Sequence, residues 1–129
     1  MSSYGERYEQ YYKAVETALP DYLPQGETLQ KTVQEAMAYS LLGGGNRIRA
    51  LLCHAYCQLC GRNIEAALPF ACALEMVHAY SLIHDDLPCM DDDDLRRGKP
   101  SCHIQYGEAM AVLAGDGLLS LGFETMLGQ

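Results

Sequence analysis

IEAALPFACALEMVHAYSLIHDDLPCMDDDDLRRGKP, residues 64–100, decides the fold class, because an apolar run passes directly into an acidic one. From Ile64 to about Leu87 the residues are mostly apolar. They contain no glycine, and their one early proline, Pro69, is tolerable in the first turn or two of a helix. This predicts a single long, buried helix. Pro88 disfavours helical geometry at Leu87, so the helix is expected to end there. The aspartates Asp91 to Asp94 then begin a loop that Gly98 and Pro100 continue.

Working outward, Arg47 to Cys60 reads as a helix stopped by Gly61. Before it, Thr28 is an expected N-cap for a helix reaching Leu42, where Gly43, Gly44 and Gly45 end it through their entropic cost. Tyr4 to Leu19 predicts a first helix closed by Pro20 and Pro24. Downstream, about Tyr106 to Leu127 predicts a fifth helix. Its glycines at 107, 115, 117 and 122 leave it dependent on packing rather than on propensity. No β-alternation of useful length and no repeat interrupts this pattern, so the expected class is all-α, with about five helices.

At 129 residues, 49% hydrophobic and 20% charged, the chain is long and apolar enough for an ordered domain or part of one. The net charge of −8 argues against a nucleic-acid partner, and six of those charges fall between Asp85 and Asp94. Six cysteines lie in helical segments that need no stapling, which fits a reducing, cytoplasmic setting. Cys57 and Cys60 form a C-x-x-C pair that could be half of a zinc site. The ordinary reading is that Cys53, Cys57 and Cys60 are small apolar residues on a buried helix face. The N-terminal MSSYGERYEQYYK is too charged for a signal peptide, and no stretch is expected to span a membrane.

The chemistry is expected around His84 to Pro100, where six carboxylates are followed at once by Arg96, Arg97 and Lys99. Carboxylates at a helix C-terminus meet the negative end of the macrodipole and repel each other, so something positive should neutralise them. Oxygen ligands without a fixed His or Cys complement suit Mg2+, which leaves positions for water and phosphate. A metal beside arginines is how a diphosphate is gripped. The ordinary alternative is a solvated acidic loop, and the D-x-D-x-D-G pattern of a calcium loop is absent. His78 and Asp85 are seven residues apart, with Ser81 between them, and are expected to look into one cavity. His54, His84 and His103 take the ordinary structural reading.

A second constellation, LLGGGNRIRA from Leu41 to Ala50, places a glycine turn before a helix whose first turn carries Arg47 and Arg49. Free amides and positive charge at a helix start suit an anion. The two arginines point to opposite sides, so at most one is expected to face a substrate.

With these residues in view, the sequence resembles the trans-isoprenyl diphosphate synthases, most closely the bacterial farnesyl diphosphate synthases, from about Tyr39 to the end. HAYSLIHDDLPCMDDDDLRRGKPSCH resembles that family's first aspartate-rich motif in its longer form. GGGNRIRA is similar to its GGKRIRP element, and GEAMAVLAGDGLL to the helix that follows the motif. The resemblance implies an isoprenoid-synthase helical bundle, of which residues 1–129 would be the N-terminal part of one domain. A second aspartate-rich motif would belong to a C-terminal half.

The implied activity is Mg2+-assisted ionisation of an allylic diphosphate and its condensation with isopentenyl diphosphate. By motif position, the resemblance implies Asp85, Asp86 and Asp91 as metal ligands and Arg96 on the allylic diphosphate. It implies Asn46, Arg49, His78 and Arg97 on the isopentenyl diphosphate. Tyr80 and Ser81, just before the aspartates, would set product length, with the Tyr80 ring about 7.5 Å along the helix from the metal site. A C15 product is expected, with C20 as the alternative. Asn46 stands where the family has lysine and Ala50 where it has proline, which predicts weakened binding. Uncovered apolar faces predict a homodimer or other self-association. This chain alone is expected to be inactive; the alternative is a non-catalytic diphosphate-binding or assembly fragment.

Overall fold

The computed structural model describes residues 3–129, so Met1 and Ser2 of the charged N-terminal stretch lie outside the described residues. Six helices follow in chain order: α1 (Tyr4–Tyr22), α2 (Lys31–Leu41), α3 (Ile48–Leu59), α4 (Ile64–Asp85), α5 (Cys102–Tyr106) and α6 (Glu108–Leu127). Between α4 and α5 lies a two-stranded hairpin, β1 (Leu95–Arg96) and β2 (Lys99–Pro100). The all-α expectation holds, and the hairpin and α5 are additions to it.

The ends of the helices explain most of the differences from expectation. Ser3 and Glu6 form a reciprocal capping box that starts α1. That helix runs through Pro20 to Tyr22, because a proline in the last turn sacrifices little hydrogen bonding, and Leu23 N–H closes the end on Pro20 O at 3.3 Å. Thr28 does not cap α2; its hydroxyl accepts from Gln30 N–H at 3.3 Å in the turn before, and α2 starts without a side-chain cap. Arg47 is the N-cap of α3 rather than its first residue, with φ +53. α4 stops at Asp85, two residues short of Leu87.

α4 is the axis of the molecule, packed against α1, α2 and α3 and most extensively against α6. Val15, Leu19, Leu41, Cys72, Met76 and Leu118 are fully or almost fully buried around it. Two glycines of α6 permit the α4–α6 approach. A Cβ at Gly122 would lie 3.0 Å from Val77 Cγ2, and one at Gly115 would collide with the His84 ring. The glycines that weaken this helix intrinsically are therefore where α4 comes closest.

By length and composition alone, α4 and α6 are apolar enough to cross a membrane, which corrects the expectation of no such stretch. Here they pack against each other, and α4 buries Glu75 among its apolar neighbours. The cysteine reading is also corrected in part. Cys72 and Cys102 are buried, but Cys53 and Cys57 are half-buried and Cys60 is exposed, since that face of α3 has no helix over it. Other large apolar side chains, including Leu59, Tyr56, Phe123 and Leu127, are likewise exposed.

Candidate diphosphate and metal site

The C-terminus of α4 and the loop after it are knotted together through the backbone. Asp91 N–H donates to Asp85 O at 2.8 Å, and Asp93 N–H to Asp86 O at 3.1 Å, so two orphan carbonyls of the helix end are satisfied by the aspartate loop itself. The loop is held on its far side by Ser101, whose N–H donates to Asp94 O at 2.9 Å and whose hydroxyl donates to Asp93 O at 2.7 Å.

The hairpin turns on Arg97 and Gly98, with φ +52 and +76, the two-residue geometry that matches strand twist and that Gly98 makes possible. Tyr39 OH donates to Pro100 O at 2.7 Å and ties the hairpin to α2. The turn sends the two arginines to different places.

Arg96 folds back onto Asp86. Its Nε donates to Oδ2 at 3.0 Å and its Nη2 to Oδ1 at 2.5 Å, a bidentate pair that raises the Arg96 pKa further. Asp86 is 2% exposed. Both of its oxygens accept from Arg96, so of the three expected metal ligands it is the one already paired within the protein. Asp85 and Asp91 are exposed, and among the described residues neither carboxylate joins a hydrogen bond or ion pair. Two open carboxylates joined by a backbone hydrogen bond suit a hard, oxygen-seeking cation such as Mg2+. A separate group comes together at Asp92, Asp94 and His103, whose ligand atoms lie within 4.8 Å of one another.

Arg97 goes to the other constellation. Its guanidinium lies over Gly45, where a Cβ would be 2.8 Å from Nη2. Gly45, Asn46, Arg49, His78 and Arg97 line a groove of about 590 Å³, together with Glu75 and Arg47. Burial first, and then the charges of Arg49, Arg97 and Arg96, hold His78 below the usual imidazole range, against the opposing pull of Glu75. Burial, followed by Arg47 and Arg96, lowers Arg97 in the same way. Cationic groups that disfavour one another's charge form a site that an anion would stabilise.

Arg47 does not serve as one of those free cations. It is 4% exposed, with Nε donating to Glu16 Oε1 at 2.6 Å, Nη2 donating to Leu41 O at 2.8 Å, and Nη1 3.6 Å from Glu75 Oε2. Of the two arginines of this element, Arg47 is committed to partners within the protein and Arg49 is exposed.

His78 and Asp85 do not share a cavity. Tyr80, Ser81, His84 and Asp85 line a second groove of about 380 Å³ with Met90 and Val112. The i, i+4 pairs 80/84 and 81/85 define that face of α4, while 75 and 78 define the other. Tyr80 meets His84 edge-on with centroids 5.1 Å apart, and the His84 ring is 3.0 Å from Val112 O. His84 therefore bridges α4 and α6, as the structural reading expects. Glu75, Glu16 and Tyr39 were missed from the sequence. Only Glu75 carried a signal, as a lone carboxylate one turn before His78 in an apolar helix.

Taken together, the described residues define an all-α protein with a groove rich in cationic side chains and a separate acidic locus at the end of α4. The family pattern described as Polyprenyl synthetase matches residues 30–128. The sequence is 59% identical over 114 residues to geranylgeranyl pyrophosphate synthase 11, chloroplastic, of Arabidopsis thaliana, covering 88% of this chain and 31% of that protein. Its fold is similar to an FPP/GFPP synthase from Zymomonas mobilis, with a TM-score of 0.89 and 46% identity over 95% of this chain and 44% of the other. It is also similar to a geranyltransferase from Legionella pneumophila, with a TM-score of 0.90 and 41% identity over 95% and 43%. The chain belongs to the polyprenyl synthetase family of trans-prenyltransferases. It spans about a third of the length of the curated relative and under half of each solved structure.

Proposed function

We propose that this chain supplies the diphosphate-gripping part of a prenyltransferase that condenses an allylic diphosphate with isopentenyl diphosphate. The observation that carries the reading is the convergence of Asn46, Arg49, His78 and Arg97 on one groove, with Asp85 and Asp91 at the end of the same helix that bears His78. In the reaction, the allylic C–O bond breaks, a C–C bond forms to the isopentenyl group, and a proton and diphosphate leave. Arg49, His78 and Arg97 hold the isopentenyl diphosphate, and Asn46 adds an uncharged donor. Asp85 and Asp91 would hold Mg2+, which when bound supplies positive charge to the departing diphosphate. Asp86 orients Arg96 toward the allylic side.

Tyr80 supports a C15 product, because its ring stands in the groove beside Asp85, braced by His84. A C20 product is the competing reading, and the curated relatives favour it over C15, since those from Arabidopsis thaliana and Capsicum annuum are named geranylgeranyl pyrophosphate synthases. Tyr80→Ala in the full-length enzyme is expected to shift the product distribution to longer chains; an unchanged distribution assigns the ring to packing alone. The exposed apolar side chains support association of this chain with a further helical layer or a second copy.

The activity test is incubation of the 129-residue chain with Mg2+, geranyl diphosphate and isopentenyl diphosphate, with products read by mass spectrometry and Asp85→Ala as control. Product lost in the variant would show a working site. Diphosphate binding without product supports the binding-fragment alternative. Absence of any diphosphate binding would remove the reading altogether.

A further inference from the structure

An anion groove that contains a buried carboxylate needs a reason for it. Glu75 lies in the groove wall with Arg49, His78 and Arg97 and is 2% exposed. By Coulomb's law alone it opposes any diphosphate that enters. Its contacts indicate a compensating role. Oε1 accepts from Ala50 N–H at 3.2 Å, satisfying an amide that the start of α3 would otherwise leave orphaned. Oε2 faces Arg47 Nη1 at 3.6 Å. Arg47, held at φ +53, reaches on to Glu16 of α1 and to Leu41 O at the end of α2. One buried pair therefore joins α4 to α1, to the exit of α2 and to the entry of α3. These are the anchors of the turn that carries Gly45, Asn46 and Arg49.

We propose that Glu75, acting with Arg47, is a positioning residue for the diphosphate groove. It holds the glycine turn so that Asn46 and Arg49 converge on the space that His78 and Arg97 face. The gain from pre-ordering these groups outweighs the like-charge repulsion of the ligand. The inference rests on the assignment of this groove to isopentenyl diphosphate.

Charge and position predict opposite signs, which makes the role testable. Isopentenyl diphosphate is titrated calorimetrically into the 129-residue chain, with Arg97→Gln as the groove control and thermal melts read alongside. Glu75→Gln removes a negative charge from the groove, yet is expected to weaken binding by about tenfold because Arg47 loses the anchor that ties it to α4. Glu75→Asp keeps the charge, draws the carboxylate back by one methylene, and is expected to weaken binding as well. Leu118→Ala, in the core of α6, is expected to lower the melting temperature and keep the affinity. Binding by Glu75→Gln that equals or exceeds wild type overturns the proposal. If Glu75→Gln does not fold, Glu75→Asp decides alone, and wild-type affinity in that variant overturns it. Should Arg97→Gln bind like wild type, the groove assignment itself fails. Loss in Arg97→Gln with retention in both Glu75 variants overturns the positioning role alone.

Discussion

Replacing Arg47 by methionine removes a guanidinium that three helices share, and the cost can be worked from its partners. Arg47 is 4% exposed, and its loss takes from Glu75, 2% exposed, its one ion-pair partner among the described residues, leaving Arg97 to act on it at longer range. Breaking a buried pair from one side costs about 3–5 kcal/mol, because the remaining charge stays desolvated. Glu16 is about one-third exposed on its side chain, so its share is largely recovered by water. A small domain has about 5–15 kcal/mol in total, so Arg47→Met should consume a large part of it. With a urea slope of about 2 kcal/mol per M, the midpoint should fall by about 2 M, read by far-UV circular dichroism. The double variant Arg47→Met, Glu75→Gln removes the stranded charge and keeps an acceptor for Ala50 N–H. It should recover about 1–2 kcal/mol relative to Arg47→Met. A double variant no more stable than Arg47→Met would refute the view that the stranded carboxylate carries the cost.

Other perturbations follow from single contacts. His54 is fully buried with neither ring nitrogen hydrogen-bonded, and burial lowers its pKa below the ordinary 6.5. Its neutral form stabilises the fold fully above that value, and this contribution is lost as pH falls below it toward the folded-state pKa. His54→Leu should therefore flatten the decline of the melting temperature between pH 7 and pH 5. Asn46→Lys should restore a charge to the groove and tighten pyrophosphate binding by roughly tenfold, checked by calorimetry at two salt concentrations. Gly45→Ala places a methyl 2.8 Å from the Arg97 guanidinium at φ +121. It should destabilise by about 1–3 kcal/mol and weaken pyrophosphate binding in the same preparation.

The sequence alone determined the helical class and the set of candidate site residues, because both are local. Apolar runs bounded by Gly43–Gly45, Gly61 and Pro88 mark helices wherever they occur, and six aspartates beside two arginines mark a candidate site for a cation and an anion without any coordinates. The short hairpin was not legible, because two-residue strands carry no periodicity and only the Arg97-Gly98 turn defines them. The division of labour among like residues was decided only by the tertiary structure. Asp86 pairs with Arg96 while Asp85 stays open, and Arg47 is buried while Arg49 faces the groove. Each member of such a pair has the same intrinsic chemistry as its neighbour. What separates them is which one the packing of α4 against α1, α2 and α3 turns inward, where a charge must find a partner, and which it leaves for a ligand.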